Sequence, residues 1–112
     1  MTQFVAMEIS VQKVHENRCQ QKEFLLLDCR EQIEHETANI DGSVLIPMNE
    51  IPARLNELEP HKERPIVVFC HKGVRSMMVT EWMRENGFPQ TQSMAGGIEA
   101  WSYNIDPNVP IY

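Results

Sequence analysis

Residues 66–76 read Ile-Val-Val-Phe-Cys-His-Lys-Gly-Val-Arg-Ser, the most informative segment of the chain for its fold. Its first four residues are apolar and mostly β-branched, which is typical of a strand that is covered on both faces. A segment with helical periodicity follows the stretch directly. The sequence therefore predicts a strand that ends in a tight turn and continues into a helix, with Cys70 in the turn.

The place of Cys70 in this turn has a chemical consequence. The N–H groups of such a turn and of the following first helical turn point into one small volume and favour negative charge there. Helix N-termini and neighbouring cations lower a cysteine pKa from about 8.5 to roughly 3.5–7.5. With Lys72 and Arg75 close by in the sequence, Cys70 is predicted to be a thiolate. The alternative is a small buried residue that closes a strand.

Size and charge narrow the classes of function. A chain of 112 residues fits a single domain, here residues 1–112. Ten basic and sixteen acidic side chains give a formal charge of −6, which disfavours nucleic acid and anionic membranes as partners. The site around His71, Lys72 and Arg75 is nevertheless cationic, so a small oxyanion is an expected ligand.

Cysteine usage and the N-terminus predict a compartment. Three cysteines with no Cys-x-x-Cys pair argue against a disulfide framework and fit a reducing environment. The first residues lack the basic and apolar stretches of a signal peptide, so a soluble cytoplasmic protein is expected. His15 and Cys19 have helical spacing, but no second pair accompanies them, and no metal site is predicted.

Apolar runs alternate with helical patterns along the chain. Strands are predicted at 6–9, 24–27, 44–46, 65–69 and 91–94. Helices are predicted over 11–20, along the stripe Ile51, Leu55 and Leu58 up to Pro60, along Val74, Met78, Val79, Trp82 and Met83 up to Gly87, and from Gly96 through Ile98 and Trp101. Strands separated by helices favour parallel pairing with right-handed crossovers.

Two segments stand at the carboxyl ends of predicted strands, namely residues 28–30 and the turn that begins at Cys70. Ligands of open α/β sheets bind at this edge. The two segments are therefore predicted to form one site.

Four segments of the chain resemble the motifs of a rhodanese domain, in the same order and spacing, from about Ile9 to Tyr112. They are Leu26–Glu31, Ile40–Ser43 together with Ile46-Pro47, Cys70–Ser76, and Ala95–Trp101. The resemblance implies a three-layer α/β fold with a five-stranded, mainly parallel sheet and helices on both faces. Departures at Asn39, Asp41, Ser43 and His35 lie away from the Cys70 segment and bear on substrate scope.

The resemblance implies sulfur transfer through a persulfide on Cys70, the predicted catalytic residue. A donor such as thiosulfate would supply the sulfur and a thiol or cyanide would accept it, with no cofactor. The four residues between Cys70 and Arg75 make a loop shorter than that of the related phosphatases on this scaffold. No activity on aryl phosphates is therefore expected.

The loop residues also receive predicted roles. N–H groups of residues 71–75 are expected to hold the sulfur anion, with Gly73 permitting the backbone bend. Lys72 and Arg75 are expected to bind the sulfonate end of thiosulfate, the alternative being a solvated pair at a helix start. The predicted substrate-binding residues are His71, Lys72, Gly73, Val74 and Arg75, and the predicted supporting residues are Asp28, Arg30 and Ser76.

Cys29 stands where the family often has an aliphatic residue. Because the second and fourth strands are neighbours in the implied fold, Cys29 is expected near Cys70. Two interpretations stay open, a resolving thiol and a small buried apolar substitute.

Two further functions stay open. The tail from Ile98 to Tyr112 and the segment 45–48 are similar to rhodanese domains fused to enzymes that adenylylate sulfur carriers, which favours a protein sulfur carrier as a partner. A non-catalytic interaction module is the third class, although the intact cysteine loop argues against it.

Overall fold

The computed structural model describes residues 5–112, and within them five strands form one sheet. The strands are β1 (Glu8–Ile9), β2 (Leu25–Asp28), β3 (Val44–Leu45), β4 (Ile66–Phe69) and β5 (Thr91–Met94). Their order across the sheet is β1-β5-β4-β2-β3, and each of these pairings is parallel. The predicted α/β class with a parallel sheet is confirmed.

Four α-helices cover the sheet within the described residues. They are α1 (Val11–Cys19), α2 (Gln32–Thr37), α3 (Val74–Glu85) and α4 (Gly97–Asn104). Helices α1 and α4 pack against each other, whereas α3 packs against β4 and β5. Ser10 begins α1 as predicted, since its side chain accepts a hydrogen bond from the Lys13 amide at 3.1 Å.

The sheet separates two apolar cores. Leu26 of β2 and Val67 of β4 contribute to the core that holds Val14 and Trp101 of α1 and α4. The next residue of each strand, Leu27 or Val68, contributes to the core on the side of α3. Successive side chains of a strand point to opposite faces, so both faces of these strands are buried, as the continuous apolar runs predict.

The predicted helix along Ile51, Leu55 and Leu58 is wrong. Three short 3₁₀ segments stand in its place, at Met48–Glu50, Pro52–Glu57 and Glu59–His61. The second and third begin with proline, which donates no backbone hydrogen bond and starts a new turn rather than extending one. Ile51 and Leu58 are still buried, so the pattern identifies core residues correctly.

The prediction of which α3 residues face the core is also partly wrong. Val74 and Met78 are 70% and 55% exposed, and the buried positions of the helix are Ser76, Val79, Thr80 and Met83. These four positions form the stripe that faces the sheet. Two of them are polar, which is why the apolar pattern assigned the stripe to the wrong side. Helix α2 was not predicted because it has only six residues and buries none of them.

Residues 1–4, on which the expectation of no signal peptide rests in part, lie outside the described residues. Between residues 5 and 112, no helix combines the length and apolar character that crossing a bilayer requires.

Candidate active site

The loop from β4 to α3 folds around the Cys70 sulfur. Gly73 precedes α3 with a φ of +105°, a left-handed conformation that side chains rarely adopt. The amide of Gly73 donates to Cys70 Sγ at 3.1 Å, and the amide of Ser76 donates at 3.3 Å. Ser76 Oγ also lies 3.3 Å from Sγ and 2.7 Å from Ser93 Oγ. Four polar contacts therefore support this corner of the loop.

These surroundings lower the pKa of Cys70 to about 4. The largest cause is a hydrogen bond with the Cys29 thiol, and the hydroxyl and amide of Ser76 and the amide of Gly73 add to it, while burial opposes them. Of the predicted donors at 71–75, Gly73 makes the contact. The second amide donor is Ser76, outside that range.

Cys70 is 1% exposed, so the thiolate lies beneath the loop rather than on the surface. Lys72 and Val74 are the exposed residues between Cys70 and Arg75. Lys72 makes no ion pair with the described residues. The exposed surface of the loop is therefore formed at Lys72 and Val74, and Sγ lies beneath it.

The start of α4 holds the loop from the other side. The amide of Ile98 donates to the Cys70 carbonyl at 2.9 Å, and the amide of Glu99 donates to the His71 carbonyl at 3.1 Å. A Cβ on Gly97 would lie 2.6 Å from the Cys70 carbonyl oxygen. The motif at 95–101 thus brings the N-terminus of α4 against the loop, and only glycine fits at this contact.

Asp28 and Arg30 form a buried ion pair at the carboxyl end of β2. Arg30 Nε and Nη2 donate to the Asp28 carboxylate at 2.9 and 2.8 Å. Asp28 Oδ2 also lies 2.8 Å from His35 Nδ1, and Arg30 Nη1 donates to the Tyr112 hydroxyl at 2.8 Å. The two residues make no hydrogen bond to residues 71–75 in the described chain. They support the loop indirectly, through Tyr112.

Tyr112 connects this ion pair to the loop. Its ring stacks on the His71 imidazole, with centroids 4.1 Å apart and planes at 11°. Its hydroxyl donates to Glu34 Oε2 at 2.7 Å. Glu34 in turn accepts two hydrogen bonds from Arg75, at 2.7 and 2.9 Å. Arg75 therefore pairs with a carboxylate of its own chain.

The Arg75 guanidinium is the largest cause that lowers the pKa of Glu34 to about 2, and the Tyr112 hydroxyl adds to it. Sequence reasoning identified neither Glu34 nor Tyr112 as part of the site. For Glu34, the one local indication in the sequence was its spacing from Glu31, because the two residues form a capping box at the start of α2. Nothing in the neighbouring sequence marks Tyr112, because its partners come from distant segments.

The structure also bears on metal binding. Among the described residues, no three or more His, Cys, Asp and Glu side chains cluster as metal ligands would. The exposed side chains of His15 and Cys19 on α1 lie close together, with Cys19 Sγ 3.7 Å from His15 Nε2, and no third ligand from the described residues joins them. Cys29 and Cys70 are both buried, and they belong to the core on the α3 side of the sheet.

The geometry agrees with comparisons to known proteins. Residues 10–104 match the model of the rhodanese-like domain, and the chain belongs to this family. A 111-residue stretch is 36% identical to an adenylyltransferase and sulfurtransferase MOCS3 of Drosophila sechellia, covering 93% of this chain and 24% of that protein. A putative sulfur carrier protein, YrkF of Bacillus subtilis, is 35% identical over 95 residues, covering 85% of this chain and 50% of that protein.

The chain thus spans about a quarter of the length of the first relative and half of the length of the second. A rhodanese-like domain protein from Staphylococcus aureus has a similar structure, with a TM-score of 0.81 and 28% identity. That alignment covers 96% of this chain and 99% of the other.

Proposed function

We propose that the chain transfers sulfane sulfur through a persulfide on Cys70. The observation that carries this proposal is the contact of two backbone amides and one hydroxyl with Cys70 Sγ. The Cys29 thiol, and after it these donors, lower the pKa of Cys70 to about 4. An anionic sulfur at the carboxyl end of a strand is a nucleophile that needs no separate base and no cofactor.

The first step loads the enzyme. The Cys70 thiolate attacks the outer sulfur of thiosulfate, the sulfur–sulfur bond of the donor breaks, and sulfite leaves with the electron pair. Cys70 then carries the sulfur as an anionic persulfide. Before the transfer, the amides of Gly73 and Ser76 stabilise the negative charge on Sγ.

The second step discharges the enzyme. A thiolate or cyanide attacks the outer sulfur of the persulfide, takes it as a persulfide or thiocyanate, and restores the Cys70 thiolate. In this scheme Lys72 and Arg75 attract the anionic donor, and the loop main chain of His71 and Val74 lines its approach. Arg75 exchanges part of its pairing with Glu34 for the donor.

A protein sulfur carrier is a second candidate for the acceptor. One relative is named as an adenylyltransferase and sulfurtransferase, and another as a putative sulfur carrier protein. The pairing of Arg75 with Glu34 also favours this candidate, because it leaves less positive charge for a small dianion. Such a relay would use the same Cys70 persulfide in a reducing compartment such as the cytoplasm.

Intact-mass measurement after thiosulfate treatment tests the proposal. We expect a gain of one sulfur atom on the native chain and none on Cys70→Ala. A native chain that gains no sulfur from thiosulfate or from an alkyl persulfide would instead support a non-catalytic interaction module. Labelled sulfur that reaches a carrier protein much faster than glutathione or cyanide would favour the protein relay.

A further inference from the structure

Cys29 and Cys70 occupy neighbouring positions at the ends of two paired strands. In the register of β2 and β4, Asp28 pairs with Phe69, and the Cys29 amide donates to the Phe69 carbonyl at 3.1 Å. Each cysteine directly follows the last residue of its strand. Neighbouring strands lie about 4.8 Å apart, and a disulfide joins residues whose Cα atoms are about 4.4–6.8 Å apart. The backbone spacing therefore allows a bond between these two sulfurs.

The two thiols share one dry environment. Each cysteine is 1% exposed, and both belong to the core on the α3 side of the sheet. The Cys29 thiol donates to the carbonyl oxygen of Phe69, the residue before Cys70, at 3.4 Å. Cys29 therefore approaches Cys70 from within the core, whereas the loop amides hold the other side of the sulfur.

The state of Cys70 decides what Cys29 does. Beside a Cys70 thiolate, the pKa of Cys29 is raised far above its usual range, chiefly by the hydrogen bond to Cys70 and then by burial. Cys29 is then a proton donor. Once Cys70 carries an extra sulfur, the negative charge moves to the outer atom, and Cys70 Sγ becomes a neutral atom open to attack. The main cause that holds the proton on Cys29 is removed at the same time.

We propose that Cys29 is a resolving thiol that discharges the Cys70 persulfide as hydrosulfide when no acceptor arrives. The Cys29 sulfur bonds to Cys70 Sγ, and the bond from Sγ to the outer sulfur breaks. The outer sulfur leaves with that electron pair and with the Cys29 proton, as HS⁻. The outer sulfur is reduced, the Cys29 sulfur is oxidised to the disulfide level, and no external oxidant is required.

This inference rests on the proposed function, because it needs a persulfide on Cys70. The inference gives the Cys70 persulfide a second possible reaction. An acceptor in the loop returns Cys70 to the thiolate, whereas attack from Cys29 leaves a disulfide between Cys29 and Cys70. That chain is inactive until a dithiol reductant reopens it. The chain then limits how long a reactive persulfide persists.

The experiment uses the Cys19→Ser chain, so that any internal disulfide joins Cys29 to Cys70. Cys19 is exposed on α1 and lies outside the site. The reduced protein is treated without oxygen with thiosulfate or with glutathione persulfide, and intact mass and released hydrosulfide are followed over time. The comparison variants are Cys29→Ser, which keeps a donor beside Cys70, and Cys29→Val, which keeps an apolar side chain should serine destabilise the core.

We expect the chain with Cys29 to gain one sulfur, then lose it together with two hydrogens, and to release one hydrosulfide per chain. Both Cys29 variants should keep the sulfur for longer by an order of magnitude or more, without releasing hydrosulfide. Equal persulfide lifetimes with and without Cys29 would overturn the inference and leave the proposed function intact. Failure of both Cys29 variants to gain sulfur from either donor would overturn the proposed function, and the inference with it.

Discussion

The ring of Tyr112 stacks on the imidazole of His71, with centroids 4.1 Å apart, although the two residues are 41 positions apart in the chain. The contact ties the tail to the loop that surrounds Cys70. The Tyr112 hydroxyl extends it, because it accepts from Arg30 and donates to Glu34. One side chain thus joins the buried ion pair of β2 to the loop.

Removal of the Tyr112 hydroxyl should loosen this connection. In Tyr112→Phe the stack on His71 remains, but Arg30 and Glu34 each lose a hydrogen-bond partner. We expect a loss of about 1 kcal/mol in the free energy of unfolding, because the hydroxyl is partly solvated and bonds to charged groups. Urea denaturation measures the loss. Tyr103→Phe is the control, since Tyr103 is 69% exposed, and an equal loss there would remove the tail contact as the cause.

The ionisation of Cys70 should appear in the pH dependence of its alkylation. With a pKa of about 4, the thiolate fraction is nearly constant between about pH 6 and 8 and falls only as the pH drops through 4. An unperturbed thiol would instead lose reactivity about tenfold per pH unit below 8. Alkylation by iodoacetamide in the Cys19→Ser chain, with the modified residue located by mass, checks this. A rate that rises steeply from pH 6 to 8 would contradict an ionised Cys70.

The same pKa shift predicts the sign of a stability change. The pKa of Cys70 is lowered in the folded chain from 9.0 to about 4, so between these values the unfolded chain binds more protons. The contribution of the ionised Cys70 to the free energy of unfolding is therefore fully present above about pH 9 and is lost as the pH falls toward 4. The difference in unfolding free energy between the native chain and Cys70→Ala should shift in favour of the native chain as the pH rises from 5 to 8. A difference that does not change with pH would refute this linkage.

The pairing of Glu34 with Arg75 should limit the binding of small dianions. In Glu34→Gln the Arg75 guanidinium loses its charged partner, so half-maximal persulfide formation should need several-fold less thiosulfate, most clearly at low salt. Loading from a neutral alkyl persulfide should not change in this way. Glu36→Gln on the same helix is a control for the change in net charge. Weaker loading from thiosulfate in Glu34→Gln would show instead that Glu34 positions Arg75 for the donor.

The backbone of the loop should tolerate glycine alone at position 73. In Gly73→Ala the φ of +105° becomes strained, and the new Cβ would lie 3.3 Å from the Gly96 amide nitrogen. We expect a loss of about 1–2 kcal/mol in stability and a higher Cys70 pKa, because the residue 73 amide would move away from Sγ. Gly42→Ala separates the two effects. Its φ is +84° with nothing within 4 Å, so it should lower stability without moving the Cys70 pKa.

Much of the fold follows from local patterns. The continuous apolar runs in β2 and β4 predicted strands covered on both faces, because only a buried strand can hold such residues at every position. Short helical elements were harder to predict from the sequence. Helix α2 buries no residue and therefore carries no apolar periodicity. The segment after Pro47 does carry the apolar spacing of a helix, but its prolines divide it into 3₁₀ turns.

The contacts of the candidate site likewise fall into those that the sequence predicts and those that it does not. The position of Cys70 at a strand-to-helix turn and the need for Gly73 were predictable, because both depend on residues that are adjacent in the chain. The amide of Ser76, the carboxylate of Glu34 and the ring of Tyr112 were not assigned these contacts. Ser76 reaches the sulfur only once α3 has formed, and the other two residues arrive from separate segments.

Strand burial, helix starts and tight turns are properties of neighbouring residues, so the sequence alone predicts a parallel α/β sheet and a thiol placed where amide dipoles converge. The residues that surround this thiol can be read only from the tertiary structure. Strand order brings Cys29 beside Cys70, and the returning tail lays Tyr112 on His71. These contacts join residues far apart in the chain, and only the packing of the whole sheet and its helices determines which of them meet.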